Sequence, residues 1–177
     1  MTTHEPDIVV VGAGTAGCYA AATAAEAGLD VVIVERKDEE EAGHIACGDA
    51  LKGADKFPES IPKSEIDSAF TNTGVDHGRF EIPSHDTVLE IPIPGELAVI
   101  DRWEYGRNII DGAERRGVEF HYDTVVQDVT QTDDGRVTGV RAKRKGEVVE
   151  YEAEMTIDAA GALSILQDKT DLADATF

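Results

Sequence analysis

Three glycines at fixed spacing lie near the start of the chain, in the segment GAGTAG at residues 12–17. Gly12 permits a tight turn, Gly14 lets the backbone approach a phosphate, and Gly17 lets a helix pack closely on a strand. The N–H groups at the start of the following helix attract phosphate oxygens. The spacing therefore predicts a site for a dinucleotide.

One acidic residue gives this turn its specificity. Glu35 ends the second apolar run and would accept hydrogen bonds from both ribose hydroxyls of an adenosine. Its negative charge repels a 2′-phosphate, so NADP is disfavoured at this site. The alternative is a glycine turn that binds nothing. The flanking strand and helix and the acidic residue disfavour this alternative.

The elements that must position these residues follow the order strand, turn, helix, strand. Ile8–Val11 and Val31–Val34 are continuous β-branched runs, which are typical of strands buried on both faces. An alanine-rich helix over Cys18–Ala27 lies between them, and Gly28 ends it. Residues 6–36 thus predict a βαβ unit of about 30 residues.

The next segment, residues 37–100, is rich in charge, Gly and Pro and predicts an excursion with short strands. The strands are expected at Arg79–Ile82, Thr87–Ile91 and Leu97–Ile100. Proline has no N–H for a sheet, so Pro83, Pro92 and Pro94 predict strand ends or edge positions.

A helix is predicted at residues 101–117, begun by a capping-box-like pair, Asp101 and Glu104, and ended by Gly117. The face expected to be buried carries Trp103, Gly106, Ile109, Ile110 and Ala113.

Residues 118–161 predict an antiparallel β meander and a return strand. The meander strands are expected at Val118–Tyr122, Val125–Thr130, Arg136–Arg144 and Val148–Ala153. The turns between them have Asp-Asp-Gly and Lys-Gly sequences that suit hairpins. The return strand, Met155–Asp158, leads into the small residues Ala160 and Gly161.

Together these elements predict an α/β fold over residues 1–177, a single FAD/NAD(P)-binding Rossmann-like domain of the glutathione-reductase type. Its sheet should be mainly parallel, with a small antiparallel meander beside it. An NAD enzyme would continue with further βα units. An excursion, a helix, a meander and a return strand follow here instead, and this order favours FAD.

The amino-acid composition narrows the classes of molecule that the protein could bind. The chain has 36 Asp and Glu against 16 Lys and Arg, a net charge of −20 that disfavours nucleic-acid binding. Acidic residues are spread along the chain, which favours a halophilic source over an ordinary acidic protein. The chain has two cysteines without a CxxC pattern, no signal peptide and no apolar run of membrane length, so we expect a cytoplasmic protein. No histidine spacing suits a metal, and no metal site is expected.

The chain resembles the geranylgeranyl reductase family of FAD-dependent oxidoreductases, and within it the archaeal digeranylgeranylglycerophospholipid reductases. The resemblance covers nearly the whole length and rests on five segments, residues 12–17, 35–36, 46–51, 101–105 and 157–161. The first and last segments are common among flavoproteins. The stretch Cys47-Gly48-x-x-Leu51 is the most specific signal, because related hydroxylases usually lack it.

The resemblance implies that FAD binds in an extended form and that isolated carbon–carbon double bonds of geranylgeranyl chains are reduced, which saturates archaeal membrane ether lipids. It implies that the diphosphate lies near Ala16, that Glu35 and Arg36 hold the adenosine, and that the backbone of Val125 brackets the adenine. The residues expected to bind FAD are Gly12, Gly14, Thr15, Ala16, Gly17, Glu35, Arg36, Ala46, Cys47, Gly48, Ala50, Arg102, Val125, Ala160 and Gly161.

Two of these residues have competing interpretations. Cys47 is the one candidate for a catalytic role, as a thiol beside the flavin that packs on substrate or passes a proton; a small buried residue is the alternative. Arg102 stands at a helix start, where a cation gains nothing from the helix dipole, so a bound anion would explain it. The alternative for Arg102 is an ordinary surface arginine.

The chain departs from the family in two places. Many relatives have Asp-Gly where this chain has Ala160-Gly161, and the family continues with a substrate domain and a late Gly-Asp motif that holds FAD. This sequence stops at Phe177 without them, so we expect a fragment or a truncated paralogue that is inactive alone. That domain would supply any peripheral membrane contact.

Several functions stay open at this point. The expected partners are a prenylated glycerophospholipid or another geranylgeranyl substrate and an external electron donor, ferredoxin or NAD(P)H. One alternative is another FAD-dependent monooxygenase, halogenase or dehydrogenase. A second alternative is a nucleotide-binding module without turnover.

Overall fold

The structure is a computed structural model that describes residues 2–44, 49–52, 57–163 and 166–170. The strands are β1 Thr2–His4, β2 Ile8–Val11, β3 Val31–Val34, β4 Ala50–Lys52, β5 Phe70–Ile82, β6 Thr87–Ile100, β7 Glu119–His121, β8 Thr124–Gln131, β9 Val137–Arg144, β10 Glu147–Glu152 and β11 Met155–Asp158. The helices are α1 Thr15–Glu26, α2 Lys63–Ile66 and α3 Arg102–Glu114. No helix within the described residues is long and apolar enough to cross a membrane.

A four-stranded parallel sheet in the order β11-β2-β3-β7 forms the centre of the fold. Every residue of β2 and β3 is buried. Ile8 and Val10 pack on one face with residues of α1 and α3, while Val9 and Val11 pack on the other with the meander. Because successive side chains of a strand point to opposite faces, a strand covered on both faces must be continuously apolar, as predicted.

A second four-stranded sheet, in the order β1-β10-β9-β8, covers the opposite face from the helices. Its last three strands form the expected antiparallel meander. The expectation that the strand at 118–122 belongs to this meander is wrong, because β7 pairs with β3 in parallel, with Ile33 opposite Phe120. α3 carries the chain across the parallel sheet before β7, and a strand that follows such a crossover joins that sheet.

The third sheet is a long β5–β6 hairpin with β4 on its other side. The three short strands expected there are parts of two long ones, and Pro92 and Pro94 lie inside β6 rather than at an end. β4 pairs only with residues 97–99 of β6, so the edge opposite β5 is unpaired at the prolines within the described chain. An unpaired edge needs no N–H donor, which explains why proline is tolerated there. Pro83 does end β5, as expected, and starts a short 3₁₀ turn.

The start of α3 matches its capping prediction. Asp101 accepts a hydrogen bond from the backbone N–H of Glu104 at 2.9 Å. The expected burial of Trp103 is wrong, since 40% of it is exposed and its ring meets the edge of His44. Tyr105 is fully buried instead. It lies one helical turn before the buried Ile109, so the two side chains share a face.

Candidate functional site

A cavity of about 400 Å³ lies at the carboxyl ends of the parallel strands β2, β3 and β11. Ligands of open parallel sheets bind at this edge. Of the predicted binding residues, the cavity is lined by Gly12, Gly14, Glu35, Arg36, Val125, Ala160 and Gly161. The fold therefore brings together residues that are separated by more than a hundred positions in the sequence.

The three glycines of the turn have three different surroundings. A Cβ atom on Gly12 would lie 2.5 Å from the carbonyl oxygen of Ala159, and its φ of +106° is one that other residues rarely adopt. A Cβ atom on Gly17 would lie 1.9 Å from the carbonyl oxygen of Gly12. At Gly14 no described atom lies within 4 Å of such a Cβ position. Gly12 and Gly17 thus close the turn, whereas Gly14 leaves its backbone open to the cavity.

Helix α1 begins at Thr15, three residues before the predicted Cys18, and Gly14 caps it without a side chain. The first N–H groups of a helix have no acceptor within the helix. No acidic residue stands in the first turn of α1 to neutralise its partial positive charge. Ala16 is exposed there, so this end of the helix can receive an anion.

Glu35 is held rigidly by two backbone donors. Its Oε2 atom accepts a hydrogen bond from the N–H of Ala13 at 2.8 Å, and its Oε1 atom accepts one from the N–H of Lys37 at 2.9 Å. A carboxylate has about four lone-pair positions, so each oxygen can accept one more hydrogen bond. The side chain lines the cavity with that remaining capacity.

Backbone pairing joins Glu35 to the start of the meander. The carbonyl of His121 accepts a hydrogen bond from the N–H of Glu35, and the carbonyl of Glu35 accepts one from the N–H of Thr124. These bonds bring Val125, which is 49% exposed, to the cavity wall beside Glu35. Glu35 and Val125 are far apart in the sequence, and the pairing of β3 with β7 brings them together.

The small residues after β11 form the opposite wall. The Asp158 carboxylate accepts hydrogen bonds from the N–H groups of Ala160 at 3.0 Å and Leu166 at 3.2 Å. These bonds shape the turn that carries Ala160 and Gly161 into the cavity. A carboxylate is therefore present at this turn, although the residue before Gly161 is alanine.

Several buried polar atoms lie near the starts of α1 and α3. Thr15 Oγ1, Arg102 Nε and the hydroxyl of Tyr105 are buried and make no hydrogen bond within the part of the chain that the structure describes. Arg102 is the first residue of α3, as expected. A buried polar group without a partner costs free energy, so a ligand that supplies acceptors would stabilise this arrangement.

The predicted site is only partly within the structure. Ala46, Cys47 and Gly48 lie outside the described residues, so the expectations for them are untested. Ala50 is described, is exposed, and pairs with Val99 in β4 rather than lining the cavity. Lining residues that the sequence analysis missed are Val11, Ala13, Val34, Lys37, Gly43, His44, Thr124, Val126 and Ala159.

Gly43 shows why some of these residues escaped notice. A Cβ atom on Gly106, in the middle of α3, would lie 2.1 Å from the carbonyl oxygen of Gly43. Two glycines that are distant in sequence therefore let the loop after β3 cross the helix. Lys37 donates a hydrogen bond to the carbonyl of His44 and holds the same loop against the cavity. Only the flanking position of Lys37, two residues after Glu35, could have suggested its role.

Cys18 behaves as the core residue that was expected. It is fully buried, and burial raises the pKa of its thiol to about 12, with the charges of Glu35 and Glu114 adding to the shift. A neutral buried thiol reacts slowly, because the thiolate is the nucleophile. In a Cys47→Ser variant, Cys18 is the only thiol, and we expect no alkylation by iodoacetamide at pH 8 in the folded state. Mass spectrometry should show full labelling in guanidinium, and labelling at equal rates in both states would contradict this burial.

A buried histidine behind the cavity predicts a pH dependence of stability. His121 is 2% exposed, and its ring bonds the hydroxyl of Tyr151 at 2.7 Å and Glu119 at 2.7 Å. Burial lowers the pKa of His121 and outweighs the opposing effect of Glu119. The unfolded state, with a pKa near 6.5, then binds the proton more readily than the folded state. The contribution of neutral His121 to the stability of the folded protein is complete above about pH 6.5. This contribution is lost as the pH falls toward the lowered pKa of His121 in the folded state.

The loss of stability that comes from protonation of His121 can be separated from the effect of titrating the many carboxylates. Thermal unfolding at constant salt between pH 7.5 and 5 should show a steeper fall for the wild type than for His121→Gln, which cannot titrate there. His85→Gln, a change at an exposed hairpin turn, serves as the control and should follow the wild type. Identical slopes for wild type and His121→Gln would show that His121 is not neutral in the folded protein.

Two family models match the chain. Residues 7–73 match the FAD binding domain, and residues 62–175 match tryptophan halogenase. The second match covers more than half of the chain, which thus belongs to the broad group of flavoproteins that this model describes. The first match covers the glycine turn and Glu35, so the dinucleotide of this fold is FAD.

Individual relatives narrow the group. The chain is 34% identical over 163 residues to the digeranylgeranylglycerophospholipid reductase of Methanothrix thermoacetophila, covering 89% of this chain and 40% of the relative. The enzyme of the same name from Haloferax volcanii is 29% identical over 97% of this chain and 39% of the relative. The chain belongs to the geranylgeranyl reductase family of FAD-dependent oxidoreductases. It spans about two fifths of the length of these curated relatives.

A solved structure supports the fold of this geranylgeranyl reductase family member. A geranylgeranyl bacteriochlorophyll reductase-like protein from Thermoplasma acidophilum superposes with a TM-score of 0.75 and 24% identity, over 94% of this chain and 42% of that one. The expected FAD-binding Rossmann-like fold is thereby confirmed, with parallel and antiparallel sheets together.

Proposed function

We propose that this chain is the FAD-binding part of a reductase that saturates carbon–carbon double bonds in the geranylgeranyl chains of archaeal membrane ether lipids. The observation that carries the proposal is the cavity at the carboxyl ends of β2, β3 and β11, lined by the glycine turn and Glu35. The names of the relatives supply the substrate class. Because the chain spans two fifths of those relatives, we assign the activity and its partners to the whole protein.

We assign the adenosine half of FAD to the Glu35 side of the cavity. Each Glu35 oxygen has capacity for one further hydrogen bond, which suits the two ribose hydroxyls. Arg36 and the exposed Val125 line the same wall and would flank the adenine. A 2′-phosphate would meet the Glu35 charge in this position, which supports a preference for FAD over NADP.

The diphosphate is placed at the start of α1. Gly14 leaves open space there, and Thr15, Ala16 and the first N–H groups of the helix can face the phosphate oxygens. Gly17 contributes by packing the helix against the turn. Ala160 and Gly161 border the cavity opposite. These observations fit a bound diphosphate, which would supply acceptors for donors that make no hydrogen bond among the described residues.

FAD supplies the hydride chemistry when it is bound and reduced. The role of the chain is to bind it, to exclude water from it and to orient it. We place Ala46, Cys47, Gly48 and Ala50 beside the flavin half, with Cys47 able to pack on substrate or to carry a proton. Isolated alkenes are poor hydride acceptors, so orientation and proton supply must contribute much of the rate.

The substrate, the electron donor and the location of the whole protein follow from the same proposal. A prenylated glycerophospholipid is its substrate, and ferredoxin or NAD(P)H is its electron donor. The net charge of −20 and the Haloferax relative support a halophilic source. We place the protein in the cytoplasm, in peripheral contact with the membrane that holds its substrate.

Cofactor binding tests the first half of the proposal. The purified 177-residue chain is titrated with FAD in molar potassium chloride, and flavin fluorescence and absorbance are recorded. We expect saturable binding with one FAD per chain, and displacement by ADP but not by 2′-phosphorylated ADP. Absence of any FAD uptake by a folded chain would contradict the proposal.

Lipid reduction tests the second half. The whole protein, with FAD and dithionite, is given a digeranylgeranylglycerol phospholipid, and the product is analysed by mass spectrometry. We expect one H₂ to be added for each double bond that is reduced. An FAD-loaded protein that leaves the lipid unchanged would retain the cofactor assignment and overturn the substrate.

Halogenation is the second candidate, because residues 62–175 match the tryptophan halogenase model. The same protein, with its FAD first reduced and then given oxygen, chloride and tryptophan, would form chlorotryptophan if it were a halogenase. The reduced flavin supplies two of the electrons that the reduction of oxygen to water requires, and the chlorination of the substrate supplies the others. We expect none, since the relatives that match 89% and 97% of this chain are named as lipid reductases. Formation of chlorotryptophan without lipid reduction would favour this second candidate.

A further inference from the structure

Tyr105 lies in the first turn of α3 and close to Thr15, which begins α1, the helix end where we place the diphosphate. It is fully buried, and its ring centroid is 4.9 Å from Cζ of Arg102, the first residue of α3. A guanidinium at this distance over an aromatic face is attracted by the ring. The ring thus supports Arg102, whose buried Nε makes no hydrogen bond among the described residues.

The hydroxyl of Tyr105 points toward the other helix. Burial raises the pKa of Tyr105, and Thr15, the first residue of α1, lies close enough to oppose that shift, as does Arg102. The hydroxyls of Tyr105, Thr15 and Tyr19 are all buried, and none makes a hydrogen bond of ordinary geometry within the described chain. The hydroxyls of Thr15 and Tyr19 and the guanidinium of Arg102 are therefore gathered around Tyr105.

From this arrangement we infer that Tyr105 is a positioning residue for the FAD diphosphate, because its ring holds the Arg102 guanidinium. This inference rests on the proposed cofactor site. Diphosphate oxygens are acceptors only, so they complement the guanidinium and hydroxyl donors gathered here. The helix dipole disfavours a cation at the first residue of α3, where Arg102 stands. Contact with the Tyr105 ring explains how the guanidinium is kept there.

The chain offers a matched control. Tyr122 also has a buried hydroxyl, but its ring stacks on Phe120, with centroids 5.6 Å apart, and it is not part of the group around Tyr105. Tyr105→Leu and Tyr122→Leu each remove a tyrosine whose hydroxyl is buried, so both should lower the melting temperature. Only Tyr105→Leu removes the support of Arg102.

The test measures the dissociation constants of FAD and of ADP-ribose, which carries the diphosphate, and of adenosine, which lacks it. We expect Tyr105→Leu to weaken FAD and ADP-ribose about tenfold and adenosine less than twofold. Tyr105→Phe keeps the ring and should recover most of the affinity. Tyr122→Leu should leave both affinities within about twofold of wild type.

A double-mutant cycle distinguishes the positioning of Arg102 by Tyr105 from a purely structural role of Tyr105. If Tyr105 acts through Arg102, then Tyr105→Leu should cause little further loss of FAD affinity in an Arg102→Met background. Additive losses, or equal weakening of adenosine and ADP-ribose, would overturn the inference. A wild-type chain that fails to bind FAD would overturn the proposed function instead, so the two failures can be told apart.

Discussion

Replacing Gly17 with alanine should unfold much of the βαβ unit, because the added methyl group has no room. Its Cβ atom would lie 1.9 Å from the carbonyl oxygen of Gly12. Both atoms are fixed to the backbone, so neither can rotate away as the end of a flexible side chain would. Alanine gains about 1 kcal/mol in helix propensity over glycine. Severe overpacking costs about 3 kcal/mol or more, so the clash dominates.

Denaturant unfolding followed by circular dichroism measures this net loss in the free energy of unfolding. Gly14→Ala is the matched control, since no described atom lies within 4 Å of its Cβ position. The control should keep its free energy of unfolding within about 0.5 kcal/mol of wild type. It should bind FAD more weakly, because the methyl group fills space that we assign to the diphosphate. Equal stabilities for the two variants would contradict the close packing of α1 on the turn.

The second large effect is expected at Glu35. Glu35→Gln replaces one carboxylate oxygen with an NH₂ group, so either the N–H of Ala13 or that of Lys37 loses its acceptor. Hydrogen bonds to charged groups contribute about 1.5–3 kcal/mol each. We therefore expect the free energy of unfolding to fall by about 1–2 kcal/mol and FAD affinity to fall by about tenfold or more, since the ribose also loses a charged acceptor.

FAD titration and denaturant unfolding of the same preparations measure both effects. Glu40→Gln removes the same charge at an exposed position and should change neither quantity. Discrimination against a 2′-phosphate should also decline in Glu35→Gln, because the repelling charge is gone. A variant that binds FAD as tightly as wild type would place the adenosine elsewhere.

The βαβ unit illustrates how far local patterns can go. Ile8–Val11 and Val31–Val34 could be predicted as buried parallel strands because burial on both faces requires continuous apolar residues. The capping of α3 by Asp101 is equally local, since the bond joins residues three positions apart. The placement of β7 is not local. Its three residues carry no pattern that distinguishes a parallel partner from an antiparallel one.

The site divides in the same way. The sequence by itself determined the glycine turn, the acidic residue after the second strand and the FAD-type order of elements, because each depends on neighbours in the chain. Only the tertiary structure decided which surfaces meet: Gly43 against Gly106, and Glu35 against the N–H of Ala13. Such contacts depend on the distance between backbones that cross, and no spacing along one chain records that distance.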